Sequence, residues 1–161
     1  MKTILAYGDS LTWGSDAASG GRHGFDNRWP NVLQAGLNDK ARVFADGLRG
    51  RTTAYDEYLA DCDRNGARTL PTSLYMHAPV DLLILMLGAN DMKPHIAGTA
   101  LAAMQGMRRL ISIAKNHNPG LVDETRPEIL IVAPPPLCET ADPEFAAMFA
   151  GGIPESQMLA S

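Results

Sequence analysis

Cysteine is scarce in this chain. Cys62 and Cys138 are the only two in 161 residues, with neither a Cys-x-x-Cys pair nor a disulfide-framework spacing. They predict free thiols, buried or partly buried, with no bridge and no thiolate metal site. Basic charge is also short: fourteen Lys and Arg stand against eighteen Asp and Glu, a net charge of −4, and no basic stripe interleaved with aromatics occurs. That argues against nucleic acid or an anionic membrane as a partner. Long apolar runs are missing too. The first one, Ile4 to Tyr7, is too short for a signal peptide, nothing later approaches a membrane span, and the expected location is cytoplasmic. There is no Gly-x-x-x-x-Gly-Lys-[Ser/Thr] string for a phosphate loop, and no ligand-spaced His or carboxylate accompanies Asp9. Neither a metal nor a cofactor is expected, and Asp9 reads as a turn-stabilising residue.

What is present reads as one globular domain, with 45% hydrophobic residues and no repeat, linker or low-complexity tract. Four short apolar segments bounded by Gly, Pro or Asp read as fully buried strands: Thr3 to Tyr7, Ala41 to Ala45, Asp81 to Met86 and Glu128 to Ala133. Between them, Arg28 to Leu37 repeats apolar residues at Trp29, Val32, Leu33 and Leu37. Thr99 to Asn116 repeats them at Leu101, Met104, Met107, Leu110, Ile111 and Ala114. Both predict helices, the second stopped by Asn118-Pro119-Gly120. Alternation of strand and helix predicts a three-layer α/β/α domain with a central, mostly parallel sheet, whose right-handed crossovers bring the carboxyl ends of the strands to one edge. Two stretches rich in Gly, Asp and Arg, Ser15 to Asn27 and Asp61 to Thr72, read as long rim loops.

That edge carries the chemistry. Ser10, in Gly8-Asp9-Ser10-Leu11-Thr12-Trp13-Gly14, sits where the first strand ends in a tight turn. A serine hydroxyl needs a base to take its proton and donors aimed at the oxyanion it creates. The backbone N–H of Ser10, the backbone N–H of Gly50 in Gly47-Leu48-Arg49-Gly50-Arg51-Thr52-Thr53, and the side-chain amide of Asn90 in Leu87-Gly88-Ala89-Asn90-Asp91 can converge as three such donors, each worth ~3 kcal/mol if typical. Glycine at 50 lets a substrate approach the backbone closely. Asp91 reads as a cap or turn residue. The string around Ser10 is not Gly-x-Ser-x-Gly, since Thr12 holds the last place, so the nucleophile elbow of α/β-hydrolases is not indicated.

Gly-Asp-Ser-Leu at 8–11, the glycine block around Gly50 and Gly-Ala-Asn-Asp at 88–91 resemble the first three sequence blocks of the GDSL, or SGNH, hydrolases. Together with Ala-Pro-Pro-Pro-Leu at 133–137, the fuller strings are most similar to the bacterial arylesterases of that family, which also transfer acyl groups to alcohols or peroxide. The resemblance spans essentially the whole chain. It implies the SGNH-hydrolase, flavodoxin-like fold and a cofactor-free serine esterase acting on a small-molecule ester of a short-chain or aryl type. Ser10 would be the nucleophile, Ser10, Gly50 and Asn90 the oxyanion hole, and Trp13 a wall of the acyl or alcohol pocket. It further implies a homo-oligomer in which the two long loops frame the pocket and apolar residues such as Phe145 and Phe149 are left for packing.

The family's last block, Asp-x-x-His, does not occur: no Asp stands three residues before His23, His77, His95 or His117. His95 is the nearest substitute, because the loop that carries Asn90 also carries it. Glu144 to Ala150 reads as a short helix closed by Gly151-Gly152, and Ile153-Pro154-Glu155 as the start of another only about seven residues before Ser161. The expectation is a single SGNH domain over 1–161, cut short at its C-terminus and without a working base of its own. Two other readings remain open, a non-catalytic ester- or glycan-binding remnant and an anion-binding module using the helix N-termini behind Gly8 and Gly88.

Overall fold

The computed structural model describes residues 1–117 and 126–159. Its centre is a four-stranded, wholly parallel sheet in the order β2-β1-β3-β4, formed by β1 (Lys2–Gly8), β2 (Ala41–Gly47), β3 (Leu82–Met86) and β4 (Glu128–Ile131). The two central strands are the apolar ones. Leu5, Ala6, Tyr7, Leu83 and Leu85 are fully buried, because a central parallel strand is covered by helices on both faces.

One face carries α3 (Gly66–His77) and α4 (Ala100–Asn116), whose Leu70, Leu74, Leu110 and Ala114 pack with Leu5, Tyr7, Leu83 and Leu85. The other face carries α2 (Trp29–Gly36), with Trp29 and Leu33, and Leu37 just after it, against Ile4, Ala41 and Ile84. This is the expected three-layer α/β/α arrangement. Val32 and Leu101, read as members of apolar helix faces, are exposed instead. The helix end expected at Asn118-Pro119-Gly120 lies outside the described residues, although His117 already caps α4 in an extended conformation.

Three expectations need correction. The segment read as a loop from Asp61 to Thr72 is half helix, because α3 begins at Gly66 and runs through Pro71. Gly66 and Pro71 look like breakers in the sequence. Yet the glycine is there because a Cβ would strike Thr52 O at 2.5 Å and Thr53 O at 2.8 Å, and burial of Leu70 and Leu74 outweighs an interior proline costing ~3 kcal/mol. Asn65 caps this helix, its side chain accepting from Arg68 N at 3.3 Å. The last strand is also shorter and wetter than expected: Glu128, Leu130 and Ile131 are exposed since β4 is an edge, and β2 at the other edge is only partly buried. The thiols are free but exposed, because Cys62 and Cys138 lie on loops.

The register sets Gly8 opposite Gly47 on one side and Met86 on the other, so three chain segments leave the sheet at one level. The chain runs from β1 outward to β2 and then crosses to β3 on β1's other side. β1 and β3 therefore flank the switch point at which open α/β sheets bind ligands. Near the C-terminus, α5 (Pro143–Met148) and α6 (Gly152–Gln157) match the two short helices expected there. α6 docks back on the domain through Glu155 Oε2, which accepts from Ala100 N at 2.7 Å at the start of α4.

Two helical glycines should respond to alanine with opposite signs. At Gly106 of α4, a Cβ would collide with the Thr53 side chain on the loop behind β2, whereas nothing lies within 4 Å of one at Gly36 of α2. Gly106→Ala should lose about 1–2 kcal/mol through overpacking. Gly36→Ala should gain about 0.5 kcal/mol by restricting the unfolded chain. Urea midpoints at constant slope measure both, and equal signs would contradict this packing.

Candidate functional site

Ser10 opens α1 (Ser10–Trp13), a single turn set directly on the end of β1. Asp9 is its cap: the carboxylate, fully buried, accepts from Leu11 N at 2.9 Å, which is the turn-stabilising role expected of it. Gly8 and Gly47 are both required by contact, since a Cβ at Gly8 would meet the side chain of Thr12 and one at Gly47 the backbone of Thr12 and Trp13. The Ser10 turn is thus pressed against the end of β2. Ser10 itself is half-buried.

Leu48 to Arg51 form a turn in which Arg51 N donates to Leu48 O at 3.0 Å, and Gly50, its third residue, has φ of 80°. That is the position a type II turn reserves for glycine. The left-handed backbone by itself calls for glycine at 50. A Cβ there would also lie 2.8 Å from Arg64 Nε and Cζ. Neither the Gly50 N–H nor the Ser10 N–H donates to any described residue.

Asn90 begins a short 3-10 turn after β3 and is buried. Its Nδ2 donates to Arg51 O at 3.1 Å and, more loosely, to Asp9 Oδ2 at 3.4 Å. The three segments singled out in the sequence are thereby brought together. Asp91 does not cap this turn as expected: it accepts from Thr53 N at 3.1 Å and from the Thr53 hydroxyl, tying the β3 loop to the β2 loop. Trp13 is half-buried, with Arg22 Cζ 4.4 Å and Arg49 Cζ 5.3 Å from its ring centroid.

Arg51 was not singled out in the sequence. Its guanidinium is buried and donates to Gly8 O at 2.9 Å, to Asp46 O at 2.6 Å and to Asp46 Oδ1 at 2.9 Å, while lying 4.0 Å from the centroid of the Tyr7 ring. Lys93, also buried, was missed as well. A charged residue three positions after Asn90 carries no sequence signal that separates it from a surface lysine.

The histidines are dispersed. His23 is exposed, His77 ends α3 stacked on Phe44 at 4.5 Å, and His117 meets Tyr75 edge-on at 4.9 Å. His95 is paired with Glu57 Oε2 at 3.0 Å, a contact that holds the Asn90 loop to the β2 loop. Among the described residues no group of three or more His, Cys, Asp or Glu could hold a metal ion, and no helix is long and apolar enough to cross a membrane.

Burial pushes the carboxyls of Asp9 and Asp91 up to about 6 from 3.8. For Asp9 the backbone bond from Leu11 and the Arg51 charge oppose this, and Asp91 adds to it; for Asp91 the bonds from Thr53 oppose it. Tyr7, buried behind them, is pushed up to about 12 chiefly by desolvation.

Comparison with known proteins gives a consistent picture. The family described as GDSL-like lipase/acylhydrolase matches residues 6–152. A solved structure of a carbohydrate acetylesterase family member from Sinorhizobium meliloti is 62% identical over 99% of this chain and 75% of its own, with a TM-score of 0.97. The aryl esterase of M. smegmatis is 38% identical over 99% of this chain and 76% of its own, with a TM-score of 0.91. A second carbohydrate acetylesterase from Sinorhizobium meliloti is 36% identical over the same shares, with a TM-score of 0.90. The chain thus spans about three quarters of the length of these proteins. No curated protein matches it.

The raised carboxyls fix the sign of a pH effect. Between pH about 4 and about 6 the folded chain holds protons on Asp9 and Asp91 that the unfolded chain has released, so their contribution to stability is fullest below pH 4 and is lost as pH rises through 6. Asp9→Asn removes one of the two titrations. Urea unfolding should show the variant gaining on the parent by about 1–3 kcal/mol between pH 4 and 7. A flat difference would mean that Asp9 ionises normally.

Proposed function

The chain belongs to the GDSL-like lipase/acylhydrolase family and is a carboxylic ester hydrolase, and from that premise we propose that it works through an acyl-Ser10 intermediate on short-chain esters of small alcohols, aryl or carbohydrate. The observation that carries this reading is the bond from Asn90 Nδ2 to Arg51 O. It ties the Asn90 amide to the residue after Gly50, and the looser bond to Asp9 ties it to the residue before Ser10, at the adjoining ends of β3, β2 and β1. The names of the similar proteins, carbohydrate acetylesterase and aryl esterase, support the substrate class.

In the proposed first step Ser10 Oγ forms a bond to the ester carbonyl carbon, and the carbonyl electron pair moves to oxygen. That oxygen accepts from the Ser10 N–H, the Gly50 N–H and Asn90 Nδ2. Collapse breaks the bond to the alkoxy oxygen, and the proton from Ser10 leaves with the alcohol. Water then attacks the acyl-Ser10 ester by the same geometry and releases the acid. An alcohol or peroxide replacing that water would give acyl transfer. The proton carrier is assigned to none of the four histidines. Trp13, one helical turn after Ser10, borders the pocket on this reading.

Ser10→Ala should abolish labelling of the intact protein by an organophosphonate ester and hydrolysis of phenyl acetate, with kcat falling by about 10⁶. Labelling at another residue would remove Ser10 from the mechanism. A parent protein that binds esters yet neither labels nor turns over would favour the binding remnant. Asn90→Ala should lower kcat by about 10² to 10³ with little change in KM, because its donor is used once the oxyanion exists. An effect confined to KM would make Asn90 a substrate-binding residue instead.

A further inference from the structure

Three loops bring arginines to the rim of the site. Arg22 comes from the loop behind α1, Arg49 stands beside Gly50, and Arg64 lies against Gly50's Cα from the segment before α3. Arg22 Nε donates to Trp13 O at 2.7 Å, which leaves both of its terminal nitrogens without a partner among the described residues. Arg49 makes no hydrogen bond there, and Arg64 Nε is buried with none. No described carboxylate forms an ion pair with any of the three. Lys93 adds a fourth cation within electrostatic reach of Arg64, its ammonium pulled down by burial and by Arg64 against the pull of Glu57 and Asp9. Arg28, in turn, repels Arg22.

Elsewhere, two described arginines are held by carboxylates. Arg51 is held by Asp46, and Arg68 on the outer flank by both Asp56 and Asp63. Like charges gathered without counter-charge repel one another. Of the carboxylates on these loops, Asp16 accepts from Ala18 N and Ser19 Oγ, and Asp63 is paired with Arg68. The guanidiniums are also placed rather than loose, because Arg22 and Arg49 both lie over the Trp13 ring, which orients a planar fork through cation–π contact. An oriented fork with free N–H groups is what a carboxylate fits, by paired charge-assisted hydrogen bonds.

We propose that Arg22 and Arg49, mounted on Trp13, form an anion subsite beside Gly50, and that the preferred substrate is an ester carrying a carboxylate within one ring's length of the scissile bond. The proposal rests on Ser10 and Gly50 marking the reacting centre. The carboxylate can belong to the alcohol part, as in an acidic sugar or a hydroxybenzoate, or to the acyl part, as in a dicarboxylic half-ester. Both are the same chemistry for the arginine pair.

Two substrate pairs separate these sources: 4-acetoxybenzoate against its methyl ester, and phenyl hydrogen succinate against phenyl methyl succinate. In one of the pairs the kcat/KM of the anionic member should exceed that of its neutral partner by about tenfold at low salt. The preference should vanish in R22Q/R49Q and weaken with added salt. Calorimetric titration with 4-hydroxybenzoate, succinate and methyl 4-hydroxybenzoate gives a readout that needs no turnover. At least one of the two carboxylates should bind the parent tighter than the neutral methyl ester does, and R22Q/R49Q should lose that advantage.

Hydrolysis of both neutral esters through Ser10 with no charge preference would overturn the subsite and leave the esterase reading standing. A preference that survives in the double variant would overturn it too. Absence of turnover for all four esters would instead count against the esterase reading of this chain, and calorimetry then decides the subsite: carboxylate binding lost in R22Q/R49Q upholds it, and no carboxylate binding overturns it.

Discussion

The site depends on one buried guanidinium. Arg51 binds the Gly8 carbonyl at the end of β1 and both the carbonyl and carboxylate of Asp46 near the end of β2, and its own carbonyl receives the Asn90 amide from the loop after β3. One residue therefore holds the ends of three adjacent strands in a fixed relation. A buried arginine is costly unless its donors are met and its charge opposed; here the two terminal nitrogens are bonded, Nε has no partner among the described residues, and Asp46 opposes the charge while Ser73 Oγ donates to the other oxygen of that carboxylate at 2.5 Å. Removing one member of such a pair leaves an uncompensated buried charge, typically about 3–5 kcal/mol. The strand ends that carry Ser10, Gly50 and Asn90 are tied together through this junction.

Around the junction, closeness is enforced by residues that lack a side chain. Gly47 lets β2 touch the backbone of Thr12 and Trp13, Gly66 lets α3 touch the carbonyls of Thr52 and Thr53, and Gly106 lets α4 touch the Thr53 side chain. Thr53 in turn donates twice to Asp91. Two core helices thus press on the loop that carries Gly50. The buried carboxylates complete the frame at the expense of desolvation, visible as upward shifts of Asp9 and Asp91. A loop-borne site placed in this way owes its precision to the sheet and helices beneath it.

The sequence makes the parts that follow local rules legible. β1 and β3 are continuous apolar runs, α2 and α4 repeat at helical spacing, and Gly8-Asp9-Ser10, Gly50 and Asn90 fall at strand ends where the topology brings them together. What escapes is decided by tertiary contact. Gly66 and Pro71 read as breakers, although the first answers a carbonyl on another segment and the second is carried by the burial of Leu70 and Leu74. Arg51 sits two residues from Arg49 in the same string, one clamped in the interior and one free over Trp13. Nothing local distinguishes them. β4 looked buried because its composition is that of a core strand, yet sheet order puts it at an edge.

Asn90 shows how such a frame serves chemistry. An amide whose two N–H groups were both well bonded in the resting state would have to break a bond to meet an oxyanion, and nothing would be gained on the way to the transition state. In this site the two bonds are unequal: Arg51 O, at 3.1 Å, fixes the amide plane, whereas Asp9 Oδ2, at 3.4 Å, holds the second hydrogen weakly. On the esterase reading, the developing oxyanion takes over that second hydrogen from the weaker bond. An interaction that strengthens only as the reaction proceeds raises kcat rather than tightening ground-state binding. Asp9 therefore caps the Ser10 turn firmly and holds the Asn90 amide loosely, a single buried carboxylate doing both through its two oxygens.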